Sequence, residues 1–345
     1  MSTGAQRPVS VLTGFLGSGK TTVLNHLLRQ PAMAGTLVVV NEFGEIGLDH
    51  ELIESSQEDT ILLQSGCLCC TIRNDLVETL ESVFQRLGRG EVPAFDRIVI
   101  ETTGLADPAP ILQTLMADAG LARHIRLDGV IATVDGVAGQ ATLDRHPEAL
   151  RQAAVADRLL LTKTDLSDEA RLAELESRLR RLNPAAPLLR IAQGVVEPDS
   201  LFDLGFYDPA TKSLDVQRWL KEERYAAEHQ GHRHDVNRHD ERIRAHCLIL
   251  EEPIPGEALD RWLQELLRLK GPDLLRFKAI VNVAELPGPI VLHGVQHVIY
   301  PPLQLKSWPS ADRRTRMVFI TQDIAESELR QSLARFFGEG VKAGR

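Results

Sequence analysis

The sequence is poor in the features that mark membrane, secreted and disulfide-stabilised proteins. No run of 18 or more apolar residues occurs in its 345 positions, so no segment is predicted to span a bilayer. Residues 1–8 are polar and lack the basic and then apolar layout of a signal peptide. Only four cysteines are present, three of them within residues 67–70, which is not the pattern of a disulfide framework. We therefore expect a cytoplasmic protein with no membrane partner.

The sequence also has fewer basic residues than acidic ones. The 39 Lys and Arg residues are outnumbered by 48 Asp and Glu residues, and the net charge of −9 argues against a nucleic-acid binder held mainly by phosphate contacts. The hydrophobic content of 43% and the charged content of 25% are ordinary for a globular protein. The length favours two domains.

A strong functional signature lies near the start of the chain. A short apolar run at 9–12 leads into a glycine-rich turn, and a helical run at 22–28 follows, which is the context of a P-loop. Glycines let backbone N–H groups turn toward phosphate oxygens, the lysine reaches the β- and γ-phosphates, and Thr21 supplies an oxygen ligand for Mg²⁺. The residues predicted here to bind a nucleoside triphosphate are Gly14, Gly17, Ser18, Gly19, Lys20, Thr21 and Thr22.

Alternating apolar runs and helical patterns predict an α/β fold for the first part of the chain. This β-then-α spacing is typical of a doubly wound, mostly parallel sheet that binds ligands at the C-terminal ends of its strands. We expect a P-loop NTPase domain over residues 6–212. Further strands are predicted at 36–41, 60–63, 97–101, 129–134, 158–161 and 188–191, and helices at 73–89, 111–117, 148–156 and 169–182.

Two loops that follow predicted strands carry further nucleotide-binding residues. Glu101 ends the strand at 97–101, where such enzymes orient magnesium, and Gly104 is placed to let its N–H approach the γ-phosphate. After the strand at 158–161, Lys163 and Asp165 occupy the positions that cover and read a guanine base. The residue usual before this lysine is asparagine, and Thr162 in its place predicts weaker bracing. The alternative for this loop is a plain helix N-cap. Residues 191–194 are a further candidate contact to the base.

The cysteines of the segment Cys67-Leu-Cys-Cys70 place three soft ligands within four residues, as a transition-metal site requires. In an extended chain Cys67 and Cys69 lie on the same side, whereas Cys70 joins them only if the chain bends. The cluster is expected where a strand ends, and the remaining ligands are sought on the preceding loop, in Glu42, Glu45 or His50. The alternative is three inert buried cysteines.

The rest of the chain predicts a polar linker and a smaller domain. Residues 213–242 include four of the eleven histidines and are too polar to build a core. We interpret them either as a tract that captures metal ions or as a solvated linker. Residues 243–340 alternate strands with two helices, which predicts an α+β domain. Cys247 is expected in its core, while His293 and His297 receive no role.

The order of these motifs resembles that of CobW-like GTPases and, more distantly, the nickel-inserting GTPases of urease and hydrogenase maturation. The segments that carry the resemblance are residues 14–22, 41–49, 66–70, 101–108 and 162–165. The resemblance implies a metal-binding GTPase that delivers a transition metal to a client protein. It implies catalytic roles for Lys20, Thr21 and Glu101, with Mg²⁺ held at Thr21 and Glu101. It also implies guanine contacts from Lys163 and Asp165, and the transferred metal on Cys67, Cys69 and Cys70.

The leading hypothesis is a GTP-hydrolysing metallochaperone that carries Zn²⁺ or Co²⁺ under the control of GTP binding and hydrolysis. We expect slow turnover, since no obvious glutamine is placed to position the attacking water. Two alternatives remain: a metal buffer with little turnover, and an ATP-dependent P-loop enzyme with a structural zinc. The sequence identifies neither the client metalloprotein nor the oligomeric state.

Overall fold

The computed structural model describes residues 6–40, 60–62, 68–71, 76–202, 242–308, 311–338 and 341–343. The chain divides into two compact units, Met1–Ser177 with Ala186–Leu204 and Arg178–Ala185 with Gly205–Arg345. Most of the expected linker at 213–242 lies outside the described residues, and the domain bounds given above stay predictions. No helix in the described part of the chain is long and apolar enough to cross a membrane.

The first unit is built on an eight-stranded sheet. Its strands are β1 Arg7–Gly14, β2 Thr36–Val40, β3 Thr60–Leu62, β4 Leu68–Thr71, β5 Arg97–Glu101, β6 Ile125–Asp135, β7 Arg158–Thr162 and β8 Leu188–Arg190. Their spatial order is β3-β4-β2-β5-β1-β6-β7-β8, and every neighbouring pair is parallel except β3 with β4. The predicted doubly wound, mostly parallel sheet is therefore confirmed.

Helices connect these strands and cover the sheet. They are α1 Lys20–Leu28, α2 Leu76–Gly88, α3 Ala109–Ala117, α4 Gly139–Arg145, α5 Pro147–Val155 and α6 Glu169–Leu182. All five residues of β2 are buried, as expected of a strand covered on both faces. Val23 and Leu27 of α1 share a core cluster with Val38 and Val99 from the sheet. This packing brings the C-terminal ends of β1, β5, β6 and β7 to one edge, where ligands bind in such folds.

The second unit is a smaller antiparallel sheet with two helices, which confirms the predicted α+β layer. Its elements are β9 Ile243–Leu250, α7 Gly256–Lys270, β10 Leu274–Val281, β11 Ile290–Val295, β12 Val298–Ile299, β13 Leu303–Gln304, β14 Thr315–Gln322, α8 Glu326–Phe337 and β15 Val341–Ala343. Trp262 of α7 is fully buried, with its ring centroid 6.2 Å from that of Phe277 and 6.3 Å from that of Phe319.

Two sequence predictions need correction. Cys247 is half-buried rather than a core residue, because its neighbours His246 and Leu248 occupy the buried face of β9 at this point. The cysteine cluster was expected beyond the end of a strand, yet Cys69 and Cys70 lie within β4. That strand pairs with β2 on one side and β3 on the other, and these neighbours stabilise a segment whose own composition does not predict a strand.

Candidate nucleotide-binding site

The turn between β1 and α1 is a loop that requires glycine at one position and favours it at two others. Gly14 has a φ of +141°, and a Cβ there would lie 2.2 Å from Thr133 Oγ1. Gly19 caps α1 with a φ of +92°, in the left-handed region. Gly17 has a φ of +71° and open space around it. β1, this turn and the start of α1 therefore form the strand, turn and helix that the sequence predicts.

The lysine at the start of α1 is folded onto this loop. Lys20 is 8% exposed, and its Nζ donates hydrogen bonds to the carbonyl oxygens of Gly14, at 2.9 Å, and Phe15, at 3.3 Å. Ser18 Oγ lies 2.6 Å from Thr133 Oγ1, which ties the loop to β6. The ammonium group and the N-terminus of α1 thus share one small region, as anion binding requires.

A hydroxyl and a carboxylate meet beside the loop. Thr21 Oγ1 donates a hydrogen bond of 2.9 Å to Oε1 of Glu101, which is 2% exposed at the end of β5. The pairing of β1 with β5 brings the two together, since Leu12 and Glu101 are register partners. Two hard oxygen donors of this kind fit Mg²⁺. Thr22, the next residue of α1, is exposed.

The loop after Glu101 lies against the P-loop. A Cβ on Gly104 would lie 2.6 Å from the backbone nitrogen of Leu16, so only glycine permits this approach. The backbone N–H of Thr102 donates to the carbonyl oxygen of Leu12 at 2.9 Å and continues the pairing of β5 with β1. The structure therefore brings Gly104 into contact with the loop that the sequence predicts to bind phosphate.

The segment after β7 contacts the P-loop as well. Thr162 Oγ1 lies 2.7 Å from the carbonyl oxygen of Ser18 and 3.2 Å from that of Val134, and these two acceptors share its single hydrogen. A threonine thus braces this segment at the position where asparagine is usual. Asp165 is exposed in a short 3₁₀ turn, Thr164–Leu166, in reach of a ligand.

The neighbouring segment 191–194 lies close to both elements. The Thr164 hydroxyl donates to the carbonyl oxygen of Ile191 at 3.1 Å. Gly194 has a φ of +77°, and a Cβ there would lie 2.8 Å from the carbonyl oxygen of Thr22. Residues 191–194 therefore bridge the predicted base-reading loop and the start of α1.

Asp135 is a functional candidate that the sequence reasoning missed. Lys163, with a φ of +54°, donates from Nζ to Asp135 Oδ2 at 2.6 Å. Burial alone would raise the pKa of Asp135, but hydrogen bonds from Lys163, Ala138 and Val137 outweigh it and lower the pKa from 3.8. The signal was available, because Asp135 ends β6 just as Glu101 ends β5.

The predicted metal ligands are only partly described. Glu42, Glu45, His50 and Cys67 lie outside the described residues, as does most of the histidine-rich tract. Among the side chains that the structure describes, no three His, Cys, Asp or Glu groups come together in a metal-binding arrangement. The backbone of Cys69 and Cys70 is described, and these residues pair with Val38 and Val39 of β2.

That register relates the cysteines to the nucleotide site. Thr71 and Glu101 both pair with Val40, from opposite sides of β2, and Cys70 directly precedes Thr71. Two strand spacings separate β4 from β5, about 10 Å between strand axes. β4 is the cysteine strand, since it contains Cys69 and Cys70. Its C-terminal end and Glu101 of the candidate magnesium site thus lie at the same edge of one sheet.

A parallel sheet with a glycine turn, a buried lysine and a Thr–Glu pair at its strand ends defines a P-loop nucleotide-binding protein. The chain belongs to the CobW/HypB/UreG family. The model for the CobW/HypB/UreG nucleotide-binding domain matches residues 8–190, and that for the cobalamin synthesis protein cobW C-terminal domain matches residues 243–337.

Known relatives cover nearly the whole chain. The zinc chaperone YjiA of Escherichia coli K12 is 33% identical over 326 residues, which span 94% of this chain and 97% of YjiA. The zinc-regulated GTPase metalloprotein activator 1 of Dictyostelium discoideum is 29% identical, over 94% of this chain and 79% of its own length. A Zn(II)-bound triple mutant of the YjiA GTPase, with a glutamate and two cysteines changed to alanine, superposes with a TM-score of 0.76. It is 30% identical over 96% of this chain and 99% of the mutant chain.

Proposed function

We propose that this chain is a metallochaperone that binds Zn²⁺ through Cys67, Cys69 and Cys70 and releases it to a client metalloprotein under the control of GTP. As a member of this family the chain is a P-loop GTPase. The observation that carries the proposal is the register that joins the cysteine strand to the strand of Glu101 through β2. A change at the γ-phosphate then has a short route to the metal ligands.

The names of the relatives favour zinc over cobalt. YjiA is named a zinc chaperone and the Dictyostelium protein a zinc-regulated activator, and a crystal structure of YjiA has Zn(II) bound. Thiolates suit both metals, so ligand chemistry alone does not choose between them. We extend zinc to this chain on the strength of these relatives, with Glu42 as a proposed further ligand.

We assign the parts that GTP hydrolysis requires to residues of the P-loop and of the loops after β5 and β7. Lys20 would pair with the β- and γ-phosphates, and Gly104 would donate its N–H to the γ-phosphate. Thr21 and Glu101 would hold Mg²⁺, which when bound neutralises charge that develops on the phosphate oxygens. Lys163 would cover the guanine ring while the Asp165 carboxylate accepts hydrogen bonds that only guanine offers. Turnover is expected to be slow.

Gating is tested by measuring zinc affinity in two nucleotide states. Competition with a chelating dye is expected to show at least about fivefold tighter zinc binding with a non-hydrolysable GTP analogue than with GDP, and linkage requires zinc to tighten GTP-analogue binding by the same factor. A Cys67/Cys69/Cys70→Ser variant should lose this nucleotide dependence.

The control for that experiment is Cys247→Ser, which removes the fourth cysteine, half-buried in β9, and should leave the dependence intact. Total zinc content is a poor readout, because Zn(II) is still bound in the crystal of the YjiA triple mutant. Equal zinc affinities in the two states would contradict the proposal and favour a metal buffer. A preference for ATP over GTP would favour an ATP-dependent enzyme.

Asp135→Asn is expected to weaken GTP and GDP binding alike, by about fivefold, because a neutral amide holds the Lys163 ammonium less strongly than the carboxylate does and the lysine is then less well ordered at the base site. Since the pKa of Asp135 is lowered from 3.8, its carboxylate is ionised throughout the neutral range, and the pair is lost only as the pH falls through that pKa. The loss of affinity should thus be constant across neutral pH in titrations with fluorescent nucleotides.

Asp168→Asn is the matched control for this variant, since Asp168 forms a more exposed pair with Arg171 at 3.1 Å and can still cap α6 as asparagine. It should bind both nucleotides as the wild type does. If Asp135→Asn weakened GTP alone, Asp135 would act at the γ-phosphate and not through Lys163.

A further inference from the structure

Gln152 is a polar residue in a buried part of α5. It is 1% exposed, and Ala149, Leu150 and Ala153 around it are buried apolar residues. Burial of an amide is unfavourable unless its hydrogen bonds are replaced. The partners of Gln152 therefore indicate why this side chain stands at this position.

Both hydrogen bonds that Gln152 donates go to one loop. Its Nε2 donates to the carbonyl oxygen of Ala106 at 2.9 Å and to that of Gly104 at 3.2 Å. An amide nitrogen carries two hydrogens, so its donor capacity is fully used. The acceptors lie in the loop 102–108, between the end of β5 and the start of α3.

The other side of this loop contacts the P-loop, through Gly104 against Leu16. The loop is therefore held between α5 and the P-loop. Because a peptide unit is planar, fixing the carbonyl groups of Gly104 and Ala106 also fixes the N–H groups of Leu105 and Asp107, and with them the path of the backbone on the C-terminal side of Gly104. Arg151 makes a second link to the loop, 3.4 Å from Asp107, but this pair is more exposed and contributes less.

We infer that Gln152 is a positioning residue that holds the loop 102–108 where Gly104 meets the γ-phosphate. The inference rests on the proposed hydrolysis of GTP at this site. Interactions with the γ-phosphate exist for GTP and not for GDP, so a residue that orders this loop favours the GTP state and the transition state. Gln152 touches neither the P-loop lysine nor the base-reading segment in the contacts described.

Gln152→Met tests the inference, because methionine has similar length and no donor. The Gln152 Oε1 atom has no hydrogen-bond partner, so the variant loses only the two donated bonds. We expect kcat to fall about tenfold and the Kd of a non-hydrolysable GTP analogue to rise about fivefold, with the Kd of GDP within about twofold of wild type. Hydrogen–deuterium exchange at 102–108 should quicken in the analogue-bound state. Gln152→Glu, which sets a carboxylate against two carbonyl oxygens, should lose at least as much.

Leu150→Ala is the control for packing alone, since Leu150 is 2% exposed on the same helix. It should lower thermal stability with little change in the ratio of GTP-analogue to GDP affinity. The inference is overturned if folded Gln152→Met keeps the wild-type ratio and exchange rates, or if it loses GDP affinity equally. If the wild type hydrolyses no GTP, the proposed function fails, while the affinity ratio and the exchange at 102–108 still decide the role of Gln152.

Discussion

Replacing Glu101 by glutamine is expected to lower kcat for GTP hydrolysis by about 100-fold. Glutamine keeps the shape of the side chain and can still accept the hydrogen bond from Thr21 Oγ1, so the fold at the end of β5 should persist. What disappears is a buried negative charge at the proposed magnesium position. Single-turnover assays should show the fall in kcat, and the magnesium concentration at half-maximal rate should rise.

Glu176→Gln is the matched control for this substitution. Glu176 is also a buried carboxylate in the first unit, but it pairs with Arg190 and belongs to α6. Its loss should affect stability more than kcat. Equal falls in kcat for the two variants would mean that Glu101 acts only through stability, and an unchanged kcat in Glu101→Gln would place magnesium elsewhere.

The fold was largely predictable because its strands are apolar and its turns need particular residues. β2 is a nearly continuous apolar run because both of its faces are covered. The P-loop glycines stand out in the sequence because their positive φ angles favour glycine over other residues. The helix at Glu169–Leu182 was predicted with its exact bounds. β4 was missed because a four-residue strand of mixed composition depends on its neighbours in the sheet.

The candidate site was predictable where one local segment carries the chemistry and not where distant segments meet. Lys20 and Thr21 follow from a continuous motif. The hydrogen bond from Gln152 to Gly104 joins residues 48 positions apart, and no sequence pattern near either residue predicts it. Asp135 lies between these cases, because a carboxylate at a strand end is visible in sequence but its lysine partner is not.

These contacts connect the site in a definite order. Thr162 joins the base-reading segment to the P-loop at Ser18, and Gly104 joins the P-loop to the loop after β5. Glu101, at the start of that loop, pairs with β2, which pairs with the cysteine strand. A nucleotide-dependent shift of one loop would therefore reach the proposed metal ligands through backbone pairing, without a long chain of side chains.

Gly14→Ala is expected to destabilise the P-loop strongly, lowering the free energy of unfolding of the first unit by about 4 kcal/mol. The new Cβ would lie 2.2 Å from Thr133 Oγ1 and 2.5 Å from the Thr133 carbonyl oxygen, and the φ of +141° disfavours any side chain. All three tryptophans follow residue 205, so their fluorescence reports on the second unit. Hydrogen–deuterium exchange in β1 is the suitable measurement for the first.

Gly17→Ala separates the two causes of this loss. Gly17 also has a positive φ, of +71°, but nothing lies within 4 Å of a Cβ built there. It should therefore lose only the backbone contribution, about 1 kcal/mol. A similar loss in both variants would mean that the φ angle dominates and that the contact with Thr133 relaxes. The larger loss in Gly14→Ala would show that close packing of β6 against the loop holds the P-loop in shape before any phosphate binds.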